Sequence, residues 1–352
     1  MLWSENFKPR KFEEIISHSE IVTILESFTI KNVPNIIIHG FNGSNKRTIL
    51  FAFLQKLYGC TPVFKKVTQE LQINSSTVEI SYLQSEELIL MNPSIYKYKD
   101  RVVVQHIIKT FAETKQISSF FDKRINKMKT IIIEQAENLT RDAQAALRIT
   151  MEEYMDHFRI FMLCSEIGQM IEPIKSRCLI LQCRKFFNSE LVQILSKIAI
   201  QSDYSCDEKI LLDIARNAQG DCKRAIELFE LYSIVSNHED SAKLKKMDMI
   251  MFSLGWEQKI LNIVSLIKHP LVENMEKIRN ILYEVLMTNI DSKLIFLRLH
   301  QYCMKEINDK ILVELALKFF ERLKKGNKPL LHIEAYAAAV MNLIYKKIIS
   351  CQ

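Results

Sequence analysis

The sequence has few of the residues that interrupt regular structure. Only 7 glycines and 7 prolines occur among 352 residues, which argues against long flexible linkers and favours helix. None of the 8 cysteines forms a Cys-x-x-Cys pair, so we expect no zinc ribbon or similar metal centre, and free thiols are typical of a reducing cytosol or nucleus. No apolar run approaches the roughly 20 residues of a membrane span, and no secretory h-region follows the first residues, so we expect no membrane partner.

The residues that are present describe an ordinary globular protein. Hydrophobic residues make up 48% and charged residues 25% of the chain, and its length allows two or three domains, each with its own core. The formal net charge is +7. This charge permits contact with nucleic-acid phosphates but does not require it, because a basic protein can equally carry a solvated positive face.

Short β-branched runs separated by helical stretches occupy the first half of the chain. Four of them, at residues 36–38, 130–133, 160–163 and 179–181, predict βα units around a parallel sheet. A fifth run, at residues 102–104, fits a helix as well as a strand. The fold class predicted for this part is therefore α/β.

The pattern after Phe187 is helical only. One apolar stripe at helical spacing consists of Met275, Ile278, Leu282, Val285 and Leu286. The stripe is either internal core or a surface for a partner. We predict three domains: an α/β domain at residues 1–186, a small helical domain at 187–245 and a helical C-terminal domain at 246–352.

A glycine-rich loop joins the first run to the helix that follows it. Backbone N–H groups and the positive end of the helix dipole face an anion in such a loop, which is how nucleotide phosphates are held. Gly40 and Lys46 occupy the positions that a phosphate-binding loop requires. Asn45 replaces the second glycine, Arg47 replaces the hydroxyl that holds magnesium, and Thr48 comes one residue late. The preceding strand favours nucleotide binding over a chance lysine in a polar turn, and Arg47 argues against magnesium-dependent hydrolysis.

An altered acidic pair follows the run at residues 130–133. In related ATPases that hydrolyse, the first carboxylate at this place organises magnesium and the second polarises the attacking water. Here Glu134 keeps a charge on a side chain one methylene longer than aspartate, and Gln135 accepts no proton near neutral pH. The spacing of Glu137 makes it a poor substitute. The sequence therefore predicts that hydrolysis at this chain's own site is very slow or absent.

An arginine stands in a turn directly before the run at residues 179–181. Arg177 is flanked by Ser176 and Cys178, and such a turn can project its guanidinium from one face of the domain. An arginine offered across a subunit interface stabilises the charge on a γ-phosphate as it is transferred. An ordinary solvated arginine is the alternative when the triplet is taken alone.

Four segments together resemble a known family. Residues 2–10 resemble its adenine-pocket segment, 139–152 the helix after its acidic strand, and 176–178 its Ser-Arg-Cys finger motif. The family is the small subunits of replication factor C, the five-subunit sliding-clamp loader built from AAA+ ATPases. Residues 322–335 resemble one branch in particular, the end-of-ring subunit of the thirty-eight-kilodalton type, which typically carries a basic residue where Arg47 stands.

The resemblance implies an AAA+ fold with a P-loop domain and parallel sheet at residues 1–186, a helical lid at 187–245 and a helical collar at 246–352. It implies the sensor-1 position at Ser165, where asparagine is usual, and the sensor-2 position at Lys223, where arginine is usual. Nucleotide contacts are implied for Lys8, Pro9, Gly40, Gly43, Asn45, Lys46, Arg47, Thr48 and Lys223.

Six positions of the chain's own site depart from the family pattern, namely Asn45, Arg47, Glu134, Gln135, Ser165 and Lys223. Arg177 does not depart from it. The resemblance thus implies a subunit that donates Arg177 as a finger in trans to a neighbour's ATP site and has a degenerate Walker B pair at Glu134 and Gln135. Whether the pocket holds ATP or ADP as a structural ligand stays open, and the altered positions argue against Mg²⁺ there.

The resemblance also implies partners and a nuclear location. The chain is expected in a hetero-pentamer whose helical collars hold it together and which loads a sliding clamp onto primer-template DNA. Phosphate-backbone contacts are implied for Arg101 and Lys109 on one helix, and for Arg148. The clamp-facing segment, between residues 62 and 99, has no assigned contacts, and membership of checkpoint or cohesion loaders stays open.

The alternative function, from another class, is an autonomous AAA+ ATPase such as a helicase loader or remodeller. It predicts measurable hydrolysis by the isolated chain that Lys46→Ala abolishes, and Gln135 argues against it. Enzyme activity of the chain by itself is thus left undecided by the sequence.

Overall fold

The computed structural model describes residues 2–73, 76–85, 87–113, 128–155, 158–202, 204, 206–236, 255–307, 309–326 and 328–350. The chain divides into two compact units, Met1–Asn237 and His238–Gln352. The strands, all in the first unit, are β1 (Ile36–Gly40), β2 (Lys65–Ile73), β3 (Ser76–Gln84), β4 (Leu88–Met91), β5 (Lys129–Ile133), β6 (Phe158–Cys164) and β7 (Leu179–Cys183). Its helices are α1 (Trp3–Asn6), α2 (Ser19–Glu26), α3 (Lys46–Tyr58), α4 (Asp100–Glu113), α5 (Arg141–Glu153), α6 (Glu172–Lys175), α7 (Asn188–Gln201), α8 (Glu208–Ala218) and α9 (Cys222–Ser236).

The sheet is parallel except at one edge. Its order is β2-β3-β4-β5-β6-β1-β7. The neighbours from β4 to β7 pair in parallel, whereas β3 pairs antiparallel with both β2 and β4. Because β1 lies beside β6 and β6 beside β5, the carboxyl ends of all three strands come to the same edge. The loop after β1 is thereby brought next to the residues that follow β5 and β6, the place where open α/β sheets bind ligands.

Alternate residues of the central strands enter different cores on the two faces of the sheet. Ile36 and Ile38 of β1 are fully buried on the face that packs against α2 and α3. Ile37 is fully buried on the other face, among residues of α4 and α5. Burial on both faces explains why such strands read as continuous β-branched runs. It also fixes α3 against the sheet, and so fixes the loop that enters α3.

The four strand predictions are confirmed, and the ambiguous run at residues 102–104 is helical, so its strand alternative was wrong. These residues are the third to fifth of α4. The strands β2, β3 and β4 were not predicted from the sequence. They lie in the segment between residues 62 and 99 and form an antiparallel ribbon and one strand that pairs in parallel with β5. Residues 74, 75 and 86 of that segment lie outside the described residues.

The second unit is helical throughout its described residues. Its helices are α10 (Gly255–Ile267), α11 (Val272–Leu286), α12 (Ser292–Ile307), α13 (Lys310–Lys325) and α14 (Pro329–Ser350). The apolar stripe on α11 is internal core, because Ile278, Leu282 and Val285 are fully buried and Met275 and Leu286 pack against the same cluster. In the parts of the chain that the structure describes, no helix is both long and apolar enough to cross a membrane.

The predicted division into three domains stays a prediction. The boundary expected between residues 245 and 246 lies outside the described residues. The helices α7 to α9, expected as a separate lid, belong to the same compact unit as the sheet.

Candidate functional site

The loop between β1 and α3 keeps the backbone shape of a phosphate-binding loop. Gly40, Gly43 and Asn45 have positive φ angles of 153°, 76° and 59°. A Cβ atom at Gly40 would lie 2.1 Å from the carbonyl oxygen of Cys183, so only glycine fits there beside β7. Asn45, which replaces the second glycine, adopts the left-handed conformation that asparagine tolerates better than most residues. Asn45 therefore keeps the left-handed turn of the loop although it replaces the second glycine.

The loop is docked on the start of α9. The backbone N–H of Cys222 donates to the carbonyl of Gly43 at 3.2 Å, and a Cβ atom at Gly43 would lie 1.9 Å from Oδ1 of Asp221. The same Oδ1 accepts the backbone N–H of Arg224 at 3.0 Å and so caps the first turn of α9. Close approach of the loop to this helix thus requires glycine at position 43.

Lys46, the first residue of α3, directs its ammonium group back over the loop. Its Nζ donates to the carbonyl oxygens of Gly40 at 2.6 Å and of Phe41 at 2.9 Å. Burial lowers the pKa of Lys46, and the nearby acidic group of Glu137 partly opposes this shift. The ammonium lies at a helix N-terminus, where unpaired N–H groups and the helix dipole favour an anion.

A pocket of about 640 Å³ opens over the loop, a volume typical of small-molecule sites. It brings together eight of the nine residues predicted to contact nucleotide: Lys8, Pro9, Gly43, Asn45, Lys46, Arg47, Thr48 and Lys223. Gly40, the ninth, is not among the residues that line it. Lys223 stands on α9, where its Nζ lies 3.7 Å from Glu227 and its side chain is 68% exposed.

Arg47 and Glu134, predicted separately as altered positions, form an ion pair. The Nε of Arg47 lies 3.2 Å from Oε1 of Glu134, and the backbone N–H of Glu134 donates to Met91 at 3.0 Å. The guanidinium of Arg47 and the ammonium of Lys8 each lie 5.4 Å from the ring centre of Phe51. Partial burial, and then repulsion by Arg47, lower the pKa of Lys8. Five basic residues line the pocket against three carboxylates, those of Glu5, Glu13 and Glu14, so its lining carries a net positive charge.

Gln135 and Ser165 are held in side-chain and backbone contacts around the ends of β5 and β6. Gln135 is exposed, and its Oε1 accepts Nδ2 of Asn92 at 3.1 Å. Glu137 accepts the backbone N–H of Ser165 at 3.1 Å, and the Ser165 hydroxyl donates to Oδ1 of Asn42 at 3.1 Å. The side chain expected at the sensor-1 position thus contacts the loop between β1 and α3 directly.

Arg177 lies in an exposed turn directly after α6 and does not line the pocket. Its Nη2 lies 2.5 Å from Oε1 of Glu152, at the end of α5. Its Nη1 donates to the carbonyl of Pro173 at 2.8 Å and lies 3.4 Å from the Ser176 hydroxyl. The side chain of Arg177 is 39% exposed and that of Glu152 is 47% exposed. The guanidinium is therefore oriented by its own chain while remaining open to solvent.

Two of the three basic residues predicted to contact DNA lie exposed on one helix. Arg101 and Lys109 are eight positions apart on α4, which places them about 80° apart around the helix axis. Arg148 on α5 is half-buried, and its Nε is buried without a hydrogen-bond partner. Its position favours a phosphate contact less than those of the other two.

A buried carboxylate ties the start of α4 to the start of α5. Asp100, 1% exposed, accepts the backbone N–H of Thr140 at 2.7 Å, the Thr140 hydroxyl at 2.9 Å and the N–H of Arg101 at 2.7 Å. Thr140 in turn caps α5 by accepting the N–H of Ala143 at 3.2 Å.

Several residues of the site escaped the sequence analysis. Phe51 lies four positions after Arg47 on the same helix, a spacing that could have predicted their contact. Glu152 lies at the end of a segment recognised by resemblance, but nothing local marks it as the partner of Arg177. Asp221 precedes a helix without a visible link to Gly43. Within the described residues, no three His, Cys, Asp or Glu side chains are grouped so as to hold a metal ion.

Two family models match the chain. Residues 256–348 match the model described as replication factor C subunit 3, C-terminal domain, and residues 18–187 match the model described as DNA polymerase III, delta subunit. The second model covers the sheet and the phosphate loop, and the first covers α10 to α14.

Curated relatives match over nearly the whole length. The chain is 30% identical to replication factor C subunit 5 of Saccharomyces cerevisiae, covering 97% of this chain and 98% of that protein. It is 29% identical to probable replication factor C subunit 3 of Dictyostelium discoideum, covering 99% of each. It is 27% identical to replication factor C subunit 3 of Arabidopsis thaliana, covering 98% of each.

Among solved structures, the chain is similar to the RuvB Holliday junction branch migration motor of Thermotoga maritima. The TM-score is 0.50 at 14% identity, covering 73% of this chain and 79% of that one. A variant of the same protein gives a TM-score of 0.52. This likeness shows a shared fold, in agreement with the AAA+ architecture expected from the sequence.

Proposed function

The chain belongs to the replication factor C family of clamp-loader small subunits, and on this premise we propose that it donates Arg177 to the ATP site of a neighbouring subunit while its own site does not hydrolyse. The observation that carries the proposal is the exposed guanidinium of Arg177, oriented by Glu152 and the carbonyl of Pro173. Membership of the family implies a hetero-oligomeric loader, so the neighbour is another subunit. An arginine presented in this way can stabilise the charge that develops on a transferred γ-phosphate.

Two features support an inactive site in this chain. Gln135 stands where a general base is needed, and an amide does not take a proton from water near neutral pH. Arg47 and Glu134 are bound to each other at 3.2 Å, so the carboxylate at the magnesium-organising position is already paired with a cation. The isolated chain is therefore expected to show no ATP hydrolysis, which separates this proposal from an autonomous AAA+ ATPase.

The AAA+ fold is a nucleotide-binding fold, and we propose that the pocket over the loop holds ATP or ADP. When bound, the nucleotide supplies a polyphosphate anion. The backbone N–H groups at the start of α3, the ammonium of Lys46 and the guanidinium of Arg47 would hold that anion, while Lys8 and Pro9 border the base. The Nζ of Lys46 donates hydrogen bonds to the carbonyls of Gly40 and Phe41, and it would donate to phosphate oxygens instead when the nucleotide is bound.

The proposed partners follow from the family. We propose a nuclear hetero-pentamer that loads a sliding clamp onto primer-template DNA, with the second unit as collar and α4 facing the DNA. Arg101 and Lys109 are exposed on α4 and suit phosphate contacts that carry no sequence preference. Arg148, half-buried, is the weaker candidate.

The decisive experiment measures the DNA- and clamp-stimulated ATPase rate of the reconstituted five-subunit assembly with Arg177→Ala in this chain. We expect a loss of turnover at the neighbouring site on the order of a thousandfold, as for arginine fingers elsewhere. Arg216→Ala is the matched control, because Arg216 is another exposed arginine of the same unit, 3.4 Å from a carboxylate oxygen of Asp213. This control should leave the rate unchanged.

An unchanged rate with Arg177→Ala would show that the arginine is structural and would reduce the chain to a scaffold of the ring. Hydrolysis by the isolated chain that disappears with Lys46→Ala would instead support the autonomous ATPase. Because other subunits hydrolyse too, single-site turnover should be followed with the other ATP sites inactivated.

A further inference from the structure

The ion pair between Arg47 and Glu134 occupies the place where magnesium is organised in related sites. Arg47 stands at the position of the hydroxyl ligand, and Glu134 follows β5 at the position of the organising carboxylate. The Nε of Arg47 lies 3.2 Å from Oε1 of Glu134. Arg47 and Glu134, two departures from the family pattern that are far apart in the sequence, therefore form one ion pair at this place.

The residues present do not fit Mg²⁺. Magnesium requires oxygen ligands at about 2.0–2.1 Å in near-octahedral geometry, and a guanidinium offers only donors. Thr48 is the nearest hydroxyl in sequence, but one residue further along α3 turns it by about 100° from position 47. A cation already paired with Glu134 also repels a second, divalent one.

The same residues fit a polyphosphate well. Lys8, Lys46 and Arg47 line the pocket together with Lys197 and Lys223, and these five cations outnumber the three carboxylates of the lining. The pKa of Lys8 is lowered by partial burial and then by the charge of Arg47, which Glu134 and Glu5 partly oppose. This repulsion among cations is relieved when an anion enters. A guanidinium can also bind two phosphate oxygens at once, with a strength that a neutral donor lacks.

We propose that this pocket binds its nucleoside polyphosphate free of divalent cation, with Arg47 taking the electrostatic place of Mg²⁺. The inference rests on the proposed function only in taking the pocket as a nucleotide site. Arg47 offsets part of the phosphate charge without activating water, so the bound nucleotide is a structural ligand that is not hydrolysed. The ligand class is an uncomplexed nucleoside di- or triphosphate.

The test is calorimetric titration of the full chain with ADP and with ATP, once in excess EDTA and once in millimolar Mg²⁺. We expect the unmutated chain to bind at least as tightly in EDTA as in Mg²⁺. Arg47→Ser restores the hydroxyl of the ordinary loop, and in EDTA it should weaken binding about tenfold to a hundredfold, the value of a hydrogen bond to a charged group. Mg²⁺ should then recover much of this loss.

Two controls accompany the titration. Arg216→Ser removes an exposed arginine that does not line the pocket and should change neither condition. Lys46→Ala should weaken binding in both conditions alike. If Arg47→Ser does not fold, Arg47→Gln tests the loss of charge, and the unmutated chain alone still decides the dependence on Mg²⁺.

Tighter binding of the unmutated chain in Mg²⁺ by tenfold or more would overturn the inference. So would an Arg47→Ser chain that behaves like the unmutated one, or the absence of nucleotide binding in both conditions. None of these results affects donation of Arg177, which the turnover of the neighbouring site measures separately.

Discussion

The first unit contains two arginine–glutamate ion pairs that have similar contacts but different surroundings. Arg47 lies 3.2 Å from Glu134 and Arg177 lies 2.5 Å from Glu152, and the two arginine side chains are 50% and 39% exposed. The first pair borders a pocket that contains further cations. The second borders solvent, and Glu152 itself is 47% exposed. The contacts alone therefore do not distinguish the roles of the two arginines.

The surroundings determine how readily each arginine changes partner. A solvent-exposed ion pair is worth about 0–1 kcal/mol, so Arg177 can leave Glu152 for a phosphate from outside at little cost. Arg47 lies beside Lys8, whose pKa is lowered by its own burial and then by the charge of Arg47, so an anion that enters the pocket gains from both cations. Arg177 is therefore suited to a transient contact and Arg47 to a lasting one within its own pocket.

The largest expected effect separates the two arginines by assay. Arg177→Ala should lower turnover at the neighbouring site on the order of a thousandfold and leave the ADP affinity of the isolated chain within about twofold. Arg47→Ala should do the reverse, because Arg47 lines this chain's own pocket and Arg177 does not. The two measurements are the ATPase rate of the assembly at saturating nucleotide and calorimetry of the single chain. A variant that strongly changes both readouts would show that the sites are coupled.

A smaller effect, on stability and on ADP affinity, is expected from adding a methyl group at Gly43, which lines the pocket. Gly43→Ala places a methyl group where Asp221 caps α9, at a φ of 76°, and should lower the stability of the first unit by about 2 kcal/mol, the sum of backbone strain and a lost cap. ADP affinity should fall with it. Thermal unfolding followed by circular dichroism checks the first effect.

The chain offers graded controls for this substitution. Gly59 has a φ of 75° with no atom within 4 Å of an added Cβ, so Gly59→Ala measures strain alone. Gly168 has neither strain nor a close neighbour, so Gly168→Ala should be nearly neutral. Equal loss of stability for Gly43→Ala and Gly59→Ala would show that contact with Asp221 is unimportant.

The smallest effect is expected from changing Glu152, the ion-pair partner of Arg177. Glu152→Gln keeps an oxygen acceptor and removes the charge, so turnover at the neighbouring site should fall no more than about fivefold, as befits an exposed ion pair. Glu172→Gln is the matched control, since Glu172 pairs with Lys175 at 3.0 Å on α6 and does not hold Arg177. A loss as large as that of Arg177→Ala would mean that Glu152 itself acts in the neighbouring site.

The strands that could be predicted are those whose sequence pattern lies within a single short segment. The strands β1, β5, β6 and β7 were predictable because strands buried on both faces are short, uniform β-branched runs. The ribbon of β2 and β3 escaped because its polar residues alternate with Val78, Ile80 and Tyr82, a weaker signal. Its pairing also extends the sheet by antiparallel strands, which the parallel pattern does not suggest.

The site shows the same limit. The sequence identified Arg47, Glu134 and Arg177 individually, because each stands at a motif position. It did not join Arg47 to Glu134, because their contact depends on the order in which β1, β6 and β5 lie side by side. Nor did it join Arg177 to Glu152, since that contact depends on how α5 packs beside α6.

The helix α5 connects the start of α4 to the ion-pair partner of Arg177. Asp100, adjacent to the exposed Arg101, holds Thr140, which caps α5, and the far end of α5 carries Glu152 against Arg177. The 13 residues of α5 make a strut about 20 Å long. Asp100 contacts Thr140 at one end of α5, and Glu152 contacts Arg177 at the other end. The exposed Arg101 and the exposed Arg177 are therefore joined by one continuous helix and by the contacts at its two ends.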